Sequence, residues 1–600
     1  MGVFSETAGF LRSVEPSLMS DLAHNYDARI VTAILLLLIL PLTYTYTSAQ
    51  SHLARSSKRD VAEPPQVPYL VPFLGNTYAF VSGPAAFFAT VRKTFKNIPA
   101  RVLLGGQRMY LIPHGEHIQT LFKSSRHLNA EYTTIIAFRD ALGLPDKELQ
   151  ELYADQSGID TAPAPGYEHM EAQHRIFFQI HKHVHTHFAG RSLEAITSKF
   201  IESFSSRMLG EKAELQLGSQ WSEQPDLHDL VRTEIFHAAT EAFCGDYIFR
   251  LCPNLCKEFW EFDEVLPSLI SGTPKFLNGK ALAARAVLLK NIKTWHKFAR
   301  ESFDWNNAEA VHAEWEPIYG ARIMRERQKM FKDMKTSEDG GASYDLGLIW
   351  ASSGNVIAAS FWCLFFILQD PALKEAIIEE TTPCFRKGTL AFDSERLYSR
   401  PLLQSAYLET LRLSVAAPIT RISRVPKFRL GKWAVKKDEM MFATTWVASR
   451  DTTFWNRGSV DHKTGKAEHE VDKFWAERFL EFEDDPRSGP VRKSDNATAE
   501  KKPLDASRLS RAKVVESGMQ GYYYPFGGGS KMCPGRFFAK RQILVTVALM
   551  LRAFDMELLD AAAASKTQPC MPLTPVGTVR PNVKTAFKIR KRSQGPGRAC

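Results

Sequence analysis

The chain has 600 residues, of which 44% are hydrophobic and 24% are charged. This composition excludes a disordered chain and supplies enough apolar surface for a large core. Lysine and arginine exceed aspartate and glutamate by 76 to 66, which excludes an acidic scaffold and suits an acidic partner or an anionic membrane as well as nucleic acid. Eight cysteines are too few for a disulfide framework.

The first predicted element is a membrane anchor. The run 30–47, IVTAILLLLILPLTYTYT, carries no charge, and a helix of this length spans ~27 Å, close to a thin bilayer core. Arg55, Lys58 and Arg59 follow it, so the positive-inside rule places the rest of the chain in the cytosol and residues 1–29 in the lumen. A cleaved signal peptide is the alternative, but the 29 residues before the run disfavour it.

A basic, proline-rich connector is predicted at 48–76. Its end, PPQVPYLVPFLGN at 64–76, holds four prolines and favours a stiff extended chain.

A second uncharged run covers the 23 residues 346–368. Its length is sufficient to span a bilayer, but small and polar residues in its first half favour a helix buried in a soluble core.

The apolar spacing then gives a coarse secondary structure. It is mostly helical over 80–300, with a strand pair predicted at 101–113. A helical pattern returns at 341–415, and short strands follow at 416–447. Residues 481–515 are charged and nearly free of large apolar side chains, which predicts a surface insertion.

A glycine-rich loop around one cysteine is the most informative motif. Residues 525–542 read PFGGGSKMCPGRFFAKRQ, with three glycines before Cys533 and a helical pattern from about Arg536. Loop N–H groups and a helix N-terminus lower the pKa of a thiol and prepare it as a metal ligand. For a cysteine alone, the alternative is a buried packing residue.

The spacing of this loop resembles the haem-binding signature of the cytochrome P450 family, Phe-x-x-Gly-x-Arg-x-Cys-x-Gly. Phe526, Gly529, Cys533 and Gly535 match it. The resemblance implies that Cys533 is the axial ligand of the iron in haem b and that the other three belong to the cofactor-binding loop. Lys531 stands in the place of the arginine, and it would pair a haem propionate as a point charge.

Two further motifs follow in the order typical of the family. Residues 409–412, ETLR, resemble its Glu-x-x-Arg helix motif, in which positions i and i+3 share a helix face. Residues 474–479, FWAERF, resemble its Pro-Glu-Arg-Phe segment, with alanine in the place of proline. The resemblance implies a structural cluster of Glu409, Arg412 and Arg478.

The family also uses arginines to bind the haem propionates. A strand after the Glu-x-x-Arg helix supplies one of them, and Arg421 is the best match, with Arg424 as the competitor. An earlier helix supplies another, usually together with a tryptophan. Arg175 lies near that place, although the tryptophan is missing.

The central helix of the family normally reads Ala/Gly-Gly-x-x-Thr over the oxygen site. Here 354–358 reads GNVIA, so Ala358 replaces the threonine and Asn355 the second glycine. Alanine cannot donate a hydrogen bond but an asparagine amide can, which makes Asn355 the predicted donor; the alternative is an asparagine bonded to its own helix. Residues 350–362 and 262–277 resemble the branch of sterol 7α-hydroxylases and prostacyclin synthases.

The resemblance implies a mostly α fold with small β-sheets, the cytochrome P450 fold. A single haem domain at 77–595 would follow the anchor and end in a short tail, 596–600. The implied protein is a single-pass membrane protein of the endoplasmic reticulum with a cytosolic catalytic domain.

The implied activity is a haem-thiolate monooxygenase acting on a lipophilic substrate, such as a sterol, a terpenoid or a polyketide-like compound. Its electrons would come from NADPH through NADPH–cytochrome P450 reductase, with cytochrome b5 as a further candidate, and no nucleic acid is expected. The branch leaves a second hypothesis, an isomerase or dehydratase that acts on a peroxide without O2 or reductase. A haem or sterol carrier without turnover is the third. Stoichiometric NADPH consumption separates the first from the others.

Overall fold

The computed structural model describes residues 43–51, 61–69, 71, 73–210, 215–271, 273–461, 463–493, 504–573 and 576–592, and the single positions 33, 36, 39 and 40. Residues 1–29 and 596–600, for which a lumenal segment and a tail are predicted, lie outside this part. Half of the predicted anchor at 30–47 lies outside it as well, and residues 43–51 are helical.

The described chain forms two compact units. The first contains residues up to Pro113 and Val425–Phe442, and the second contains His114–Arg424 and the chain from Ala443 onward.

The α-helices from residue 77 onward are, in chain order, α1 (Thr77–Ser82), α2 (Pro84–Phe95), α3 (Glu116–Lys123), α4 (Tyr132–Ile136), α5 (Asp146–Ala154), α6 (Ile176–His187), α7 (Gly190–Leu209), α8 (Leu227–Cys244), α9 (Tyr247–Leu251), α10 (Leu255–Ile270), α11 (Gly279–Ser302), α12 (Ala308–His312), α13 (Arg322–Asp333), α14 (Glu338–Gln369), α15 (Pro371–Thr381), α16 (Ser394–Tyr398), α17 (Pro401–Ser414), α18 (Thr445–Ala448), α19 (Ala506–Leu509), α20 (Arg536–Ala553) and α21 (Ala561–Lys566).

The strands are β1 (Ala100–Leu104), β2 (Gln107–Leu111), β3 (Leu128–Asn129), β4 (Ser222–Gln224), β5 (Trp315–Glu316), β6 (Gly320–Ala321), β7 (Val415–Ala416), β8 (Pro418–Ser423), β9 (Lys427–Leu430), β10 (Trp433–Lys436), β11 (Met440–Thr444), β12 (Leu480–Glu481), β13 (Lys513–Val514), β14 (Phe554–Leu558), β15 (Gly577–Thr578) and β16 (Phe587–Lys591).

The first unit carries helices α1 and α2 and small sheets. Helix α2 begins with a proline at its first position, where no intrahelical N–H bond is lost. Strands β1 and β2 form an antiparallel hairpin, with Ala100 opposite Leu111, and β11 runs parallel to β2, with Met440 opposite Met109. The strand pair predicted at 101–113 is confirmed.

The second unit is built around α14, a helix of 32 residues. Ser337 caps its N-terminus, because the hydroxyl accepts the N–H of Gly340 at 3.0 Å. All residues of 356–368 are buried, against α8, α17 and α20. Among the described residues α14 is long and apolar enough to cross a membrane, but 78% of its most apolar window is buried. The core helix predicted at 346–368 is confirmed.

Small antiparallel sheets complete the second unit. Strand β3 pairs with β8, β7 with β15, and β14 with β16, which also pairs with β4. Strands β12 and β13 pair at the two ends of the predicted insertion, 481–515, of which 494–503 lies outside the described residues. The predicted class, mostly α with small β-sheets, is confirmed.

Candidate active site

Cys533 lies between the glycine-rich loop and the N-terminus of α20. Its N–H donates to the carbonyl oxygen of Phe526 at 2.9 Å and closes the loop, and both residues line a cavity. Burial raises the pKa of the Cys533 thiol, whereas the N–H groups of Gly535 and Arg536 and the Arg536 charge act to lower it. These donors favour the thiolate form at the sulfur.

Glycines shape the floor of this cavity. Gly527, Gly528 and Gly535 line it, so that main chain rather than bulky side chains surrounds the sulfur. Gly529 has a φ of +66°, and a Cβ at this position would collide with the carbonyl group of Phe122. Glycine tolerates this conformation and this close approach, and larger residues do not.

The cavity above the sulfur has a volume of about 410 Å³, within the range of small-molecule sites. Its opposite wall is one face of α14, and a third wall is formed by the chain that leaves α17. The α14 residues that line it are Leu348, Ala351, Ser352, Asn355, Val356 and Ala359, and those after α17 are Val415, Ala417, Pro418, Ile419, Thr420 and Arg421. This lining is predominantly apolar, which suits a lipophilic ligand.

Two cations meet at one edge of the cavity. Arg421 and Lys531 line it, and together with Arg424 they also line a narrow side cavity. The buried Glu131 lies between Lys531 and Arg424. Its Oε1 is 3.5 Å from Lys531 Nζ, and its Oε2 is 3.5 Å from Arg424 Nη2. Arg424 also donates to the carbonyl oxygen of Gln156 at 2.5 Å. Since Arg421 lines the main cavity and Arg424 does not, Arg421 is the arginine that faces it.

Arg175 does not line either cavity. It is buried, and its guanidinium donates to the carbonyl oxygens of Thr161 at 2.9 Å and Gly158 at 3.2 Å and to the hydroxyl of Ser157 at 3.1 Å. Residues 157–160 line the narrow side cavity. Arg175 therefore holds the 157–161 loop in place and does not contact the main cavity.

The structure brings Glu409, Arg412 and Arg478 together in a fully buried cluster. Arg412 binds the carboxylate with both ends of its guanidinium, Nε to Oε2 at 2.7 Å and Nη2 to Oε1 at 2.8 Å, and Arg478 Nε lies 3.0 Å from Oε1. Burial acts to raise the pKa of Glu409, but the two guanidinium groups outweigh it and lower that pKa. The remaining guanidinium N–H groups donate to carbonyl oxygens of the 449–473 segment, including that of Val471 at 2.7 Å.

Asn355 faces the cavity from α14 and is tied to strand β15. Its Oδ1 accepts the N–H of Thr578 at 2.8 Å, which orients the side-chain amide. Gly577 makes this contact possible, because a Cβ there would collide with Asn355 Oδ1, and its φ of +141° also favours glycine. Asn355 is therefore not bonded to its own helix through this oxygen.

Ala358 is buried and does not line the cavity, whereas Ala359 does. The face of α14 that carries Asn355 continues four residues later, since i and i+4 lie above one another on a helix. The motif gives Ala358 the place of the threonine, and this role stays a prediction. Both residues are alanines, so neither places a hydroxyl in the position that the family gives to threonine.

An ion pair between a buried carboxylate and a partly exposed arginine, which the sequence did not indicate, fixes the wall near Asn355. The Asp263 carboxylate of α10 is completely buried, pairs with Arg580 and accepts the indole N–H of Trp350 at 2.9 Å. Burial raises the pKa of Asp263, and Arg580 and Trp350 partly offset this. The pair connects α10 and α14 to the chain two residues after Thr578.

Comparison with known proteins defines the class. The sequence profile of the cytochrome P450 family matches residues 258–460 and 504–588. Cytochrome P450 monooxygenase efuG of Hormonema carpetanum is 33% identical over 558 residues, covering 91% of this chain and 92% of that protein. The 5-beta-cholestane-3-alpha,7-alpha-diol 12-alpha-hydroxylase of Sus scrofa is 24% identical over 464 residues, covering 71% and 77%. Retinoic acid-bound cyanobacterial CYP120A1 shares the fold, with a TM-score of 0.58 and 17% identity over 89% of this chain and all of that one.

The chain therefore belongs to the cytochrome P450 family. It is an oxidoreductase, a P450 monooxygenase, whose cofactor is haem held by a cysteine thiolate. Family membership also implies a redox partner, a lipophilic substrate and membrane association. The gap in the profile match, 461–503, overlaps the predicted insertion.

The residues around Cys533 fit the haem group. A thiolate is a suitable single protein ligand for haem iron, and the glycine floor leaves room for a flat macrocycle beside it. Arg421 and Lys531 stand at one edge of the same cavity, where they can pair the two carboxylates of the cofactor.

Proposed function

We propose that this enzyme hydroxylates a lipophilic, sterol- or terpenoid-like substrate in the cavity above Cys533, with O2 and electrons derived from NADPH. The observation that carries the proposal is the position of that cavity, enclosed between the Cys533 loop and the apolar face of α14. The similarity to a mammalian sterol hydroxylase supports the substrate class.

In this proposal Cys533 would supply the thiolate ligand of the haem iron, and Arg421 and Lys531 would hold the propionates. When haem is bound, it supplies the activation of dioxygen for insertion of one oxygen atom into a C–H bond. Phe526, Gly529 and Gly535 form the loop that presents the sulfur. The loop N–H groups donate hydrogen bonds to the thiolate sulfur. Such bonds keep the sulfur in place and tune the electronic properties of the cofactor.

Asn355 is the proposed hydrogen-bond donor above the cofactor. Thr578 already binds its Oδ1, so the Nδ2 amide is the end that remains for a ligand in the cavity. Ser352 lines the same face, but its hydroxyl donates to the carbonyl oxygen of Ile349 at 2.9 Å. Asn355 therefore replaces the missing threonine hydroxyl as the group that donates a hydrogen bond and positions an oxygen atom.

The proposed setting is the endoplasmic reticulum membrane, with residues 30–47 as a single-pass anchor. The catalytic domain then faces the cytosol, where NADPH–cytochrome P450 reductase, with or without cytochrome b5, delivers electrons. The uncharged run, the basic residues after it and the net charge of +10 support this arrangement.

The test is a substrate screen with microsomes that contain the full chain and the reductase. A panel of sterols and terpenoids is first tested for binding by difference spectroscopy, and compounds that bind are incubated with NADPH under ¹⁸O2. We expect substrate-dependent NADPH consumption and a product that carries one labelled oxygen atom, with neither in Cys533→Ser. Turnover of a peroxide without NADPH would identify an isomerase and contradict the proposal, and binding without any turnover would identify a carrier.

A further inference from the structure

A second cavity lies in the same unit, away from the Cys533 loop. It has a volume of about 700 Å³ and is bounded by the end of α11, by α13 and by the first turn of α14. Among the described residues it shares no lining residue with the cavity above Cys533. Its volume falls within the range of small-molecule sites, and neither the proposed reaction nor the cofactor uses it.

The charged residues that line this cavity are mostly cations. Arg300, Lys329, Lys332 and Lys335 line it together with one carboxylate, Glu338. Arg300 Nη2 is 2.6 Å from Glu338 Oε1. The ammonium groups of Lys332 and Lys335 have no ion-pair partner among the described residues, so the cavity carries an uncompensated positive charge that attracts an anion.

Aromatic rings form another part of the wall. Trp305 is 38% exposed, and its ring is supported by Phe303 at 4.8 Å and Tyr319 at 6.0 Å between centroids. The Lys329 ammonium lies 5.7 Å from the Trp305 ring centroid. A rigid, partly exposed indole next to a cation provides a surface on which a flat ring can stack.

Tyr319 backs the wall of this cavity. It is completely buried, and its ring holds the Trp305 ring from behind. Acidic groups near the floor do not oppose an anion, because the buried Asp345 carboxylate is neutralised by Arg327, with Nε at 2.6 Å from Oδ1.

We propose that this cavity binds a planar aromatic anion. The ring of the ligand stacks on Trp305, and its phosphate, sulfonate or carboxylate group pairs with Lys332 and Lys335. A nucleotide and an aromatic acid share this chemistry, because each joins a flat ring to an anionic group. The two sources are distinguished by the choice of probes.

The experiment measures binding to the haem-loaded full chain by calorimetry and by tryptophan fluorescence. The probes are adenosine 5′-monophosphate and 2-naphthoate, with adenosine and inorganic phosphate as the two separate halves. We expect at least one of the first two to bind at least tenfold more tightly than adenosine and than phosphate, and the binding to weaken as salt is raised. Binding should leave the haem absorption maximum unchanged, because the ligand does not enter the cavity above Cys533.

The Lys332→Gln/Lys335→Gln double variant should weaken this binding at least tenfold. The matched control is Lys290→Gln/Lys297→Gln, two exposed lysines on α11 that do not line the cavity, and it should bind as the wild type does. The proposal is overturned if neither complete probe binds at about 1 mM, or if the two double variants bind equally well.

Discussion

Asn355 is the residue on which handling of oxygen depends in this account. Asn355→Ala should lower the amount of product formed per NADPH consumed and raise hydrogen peroxide release, because one positioned donor is typically worth about 10²–10³ in rate. Haem content, measured from the reduced carbon-monoxide spectrum, should stay at the wild-type level.

Two variants accompany this measurement. Ser352→Ala removes a hydroxyl that is already bonded to its own helix, and it should couple as the wild type does. Gly577→Ala forces a methyl group against Asn355 Oδ1 and should uncouple the enzyme although Asn355 is still present. If Asn355→Ala and Ser352→Ala behave alike, Asn355 has no special role.

At the scale of elements, the Glu409 cluster joins α17 to the 449–478 segment. Glu409→Ala leaves two buried guanidinium groups without their carboxylate, and breaking such a pair costs about 3–5 kcal/mol. We therefore expect little or no haem-loaded protein from this variant, as judged by the ratio of haem to protein absorbance and by thermal melting. A fully loaded Glu409→Ala protein with normal melting would contradict the structural role.

The same cluster sets a pH dependence. The pKa of Glu409 is lower in the folded chain than its ordinary value of about 4.3. Its contribution to stability is therefore complete above about pH 4.3, and it is lost as the pH falls through the lowered pKa.

The Asp263–Arg580 pair connects three elements around the cavity. Arg580→Met leaves the buried Asp263 carboxylate unpaired and should destabilise the protein by about 3–5 kcal/mol, with weaker substrate binding because the wall at 577–578 is no longer held. The double variant Asp263→Asn/Arg580→Met should recover most of this loss.

Arg590→Met is the control for that pair. Arg590 Nε lies 3.0 Å from Asp555 Oδ2, but both side chains are partly exposed, and such a pair is worth only about 0–1 kcal/mol. Equal losses of unfolding free energy, measured by urea titration of Arg580→Met and Arg590→Met, would contradict a special role for the Asp263 pair.

The parts of the site that lie close together in the chain were predictable. The Cys533 loop spans ten residues, and Glu409 and Arg412 are one helical turn apart, so their spacing alone carries the geometry. Asp263 and Arg580 are separated by 317 positions, and no local pattern links them. The role of Ala358 stays a prediction, because a motif fixes the order of residues, whereas packing fixes which of them line the cavity.

At the scale of the whole molecule, the proposed arrangement is a membrane tether within residues 1–47 followed by a catalytic domain. Deletion of 1–47 should release much of the protein from membranes, as measured by fractionation, and should retain the carbon-monoxide spectrum. Deletion of 1–29 alone keeps the uncharged run and should leave the protein membrane-bound. A protein without residues 1–47 that fails to bind haem would show that this segment does more than anchor the chain.

The central claim is that Cys533 holds the haem on which all of this chemistry depends. The most direct measurement is the absorption spectrum of the reduced carbon-monoxide complex, recorded for the wild type and for Cys533→Ser at equal protein concentration. The account predicts the red-shifted band that gives the family its name in the wild type and its loss in the variant, because a serine oxygen does not replace a thiolate as the axial ligand. An unchanged band in Cys533→Ser would contradict the assignment.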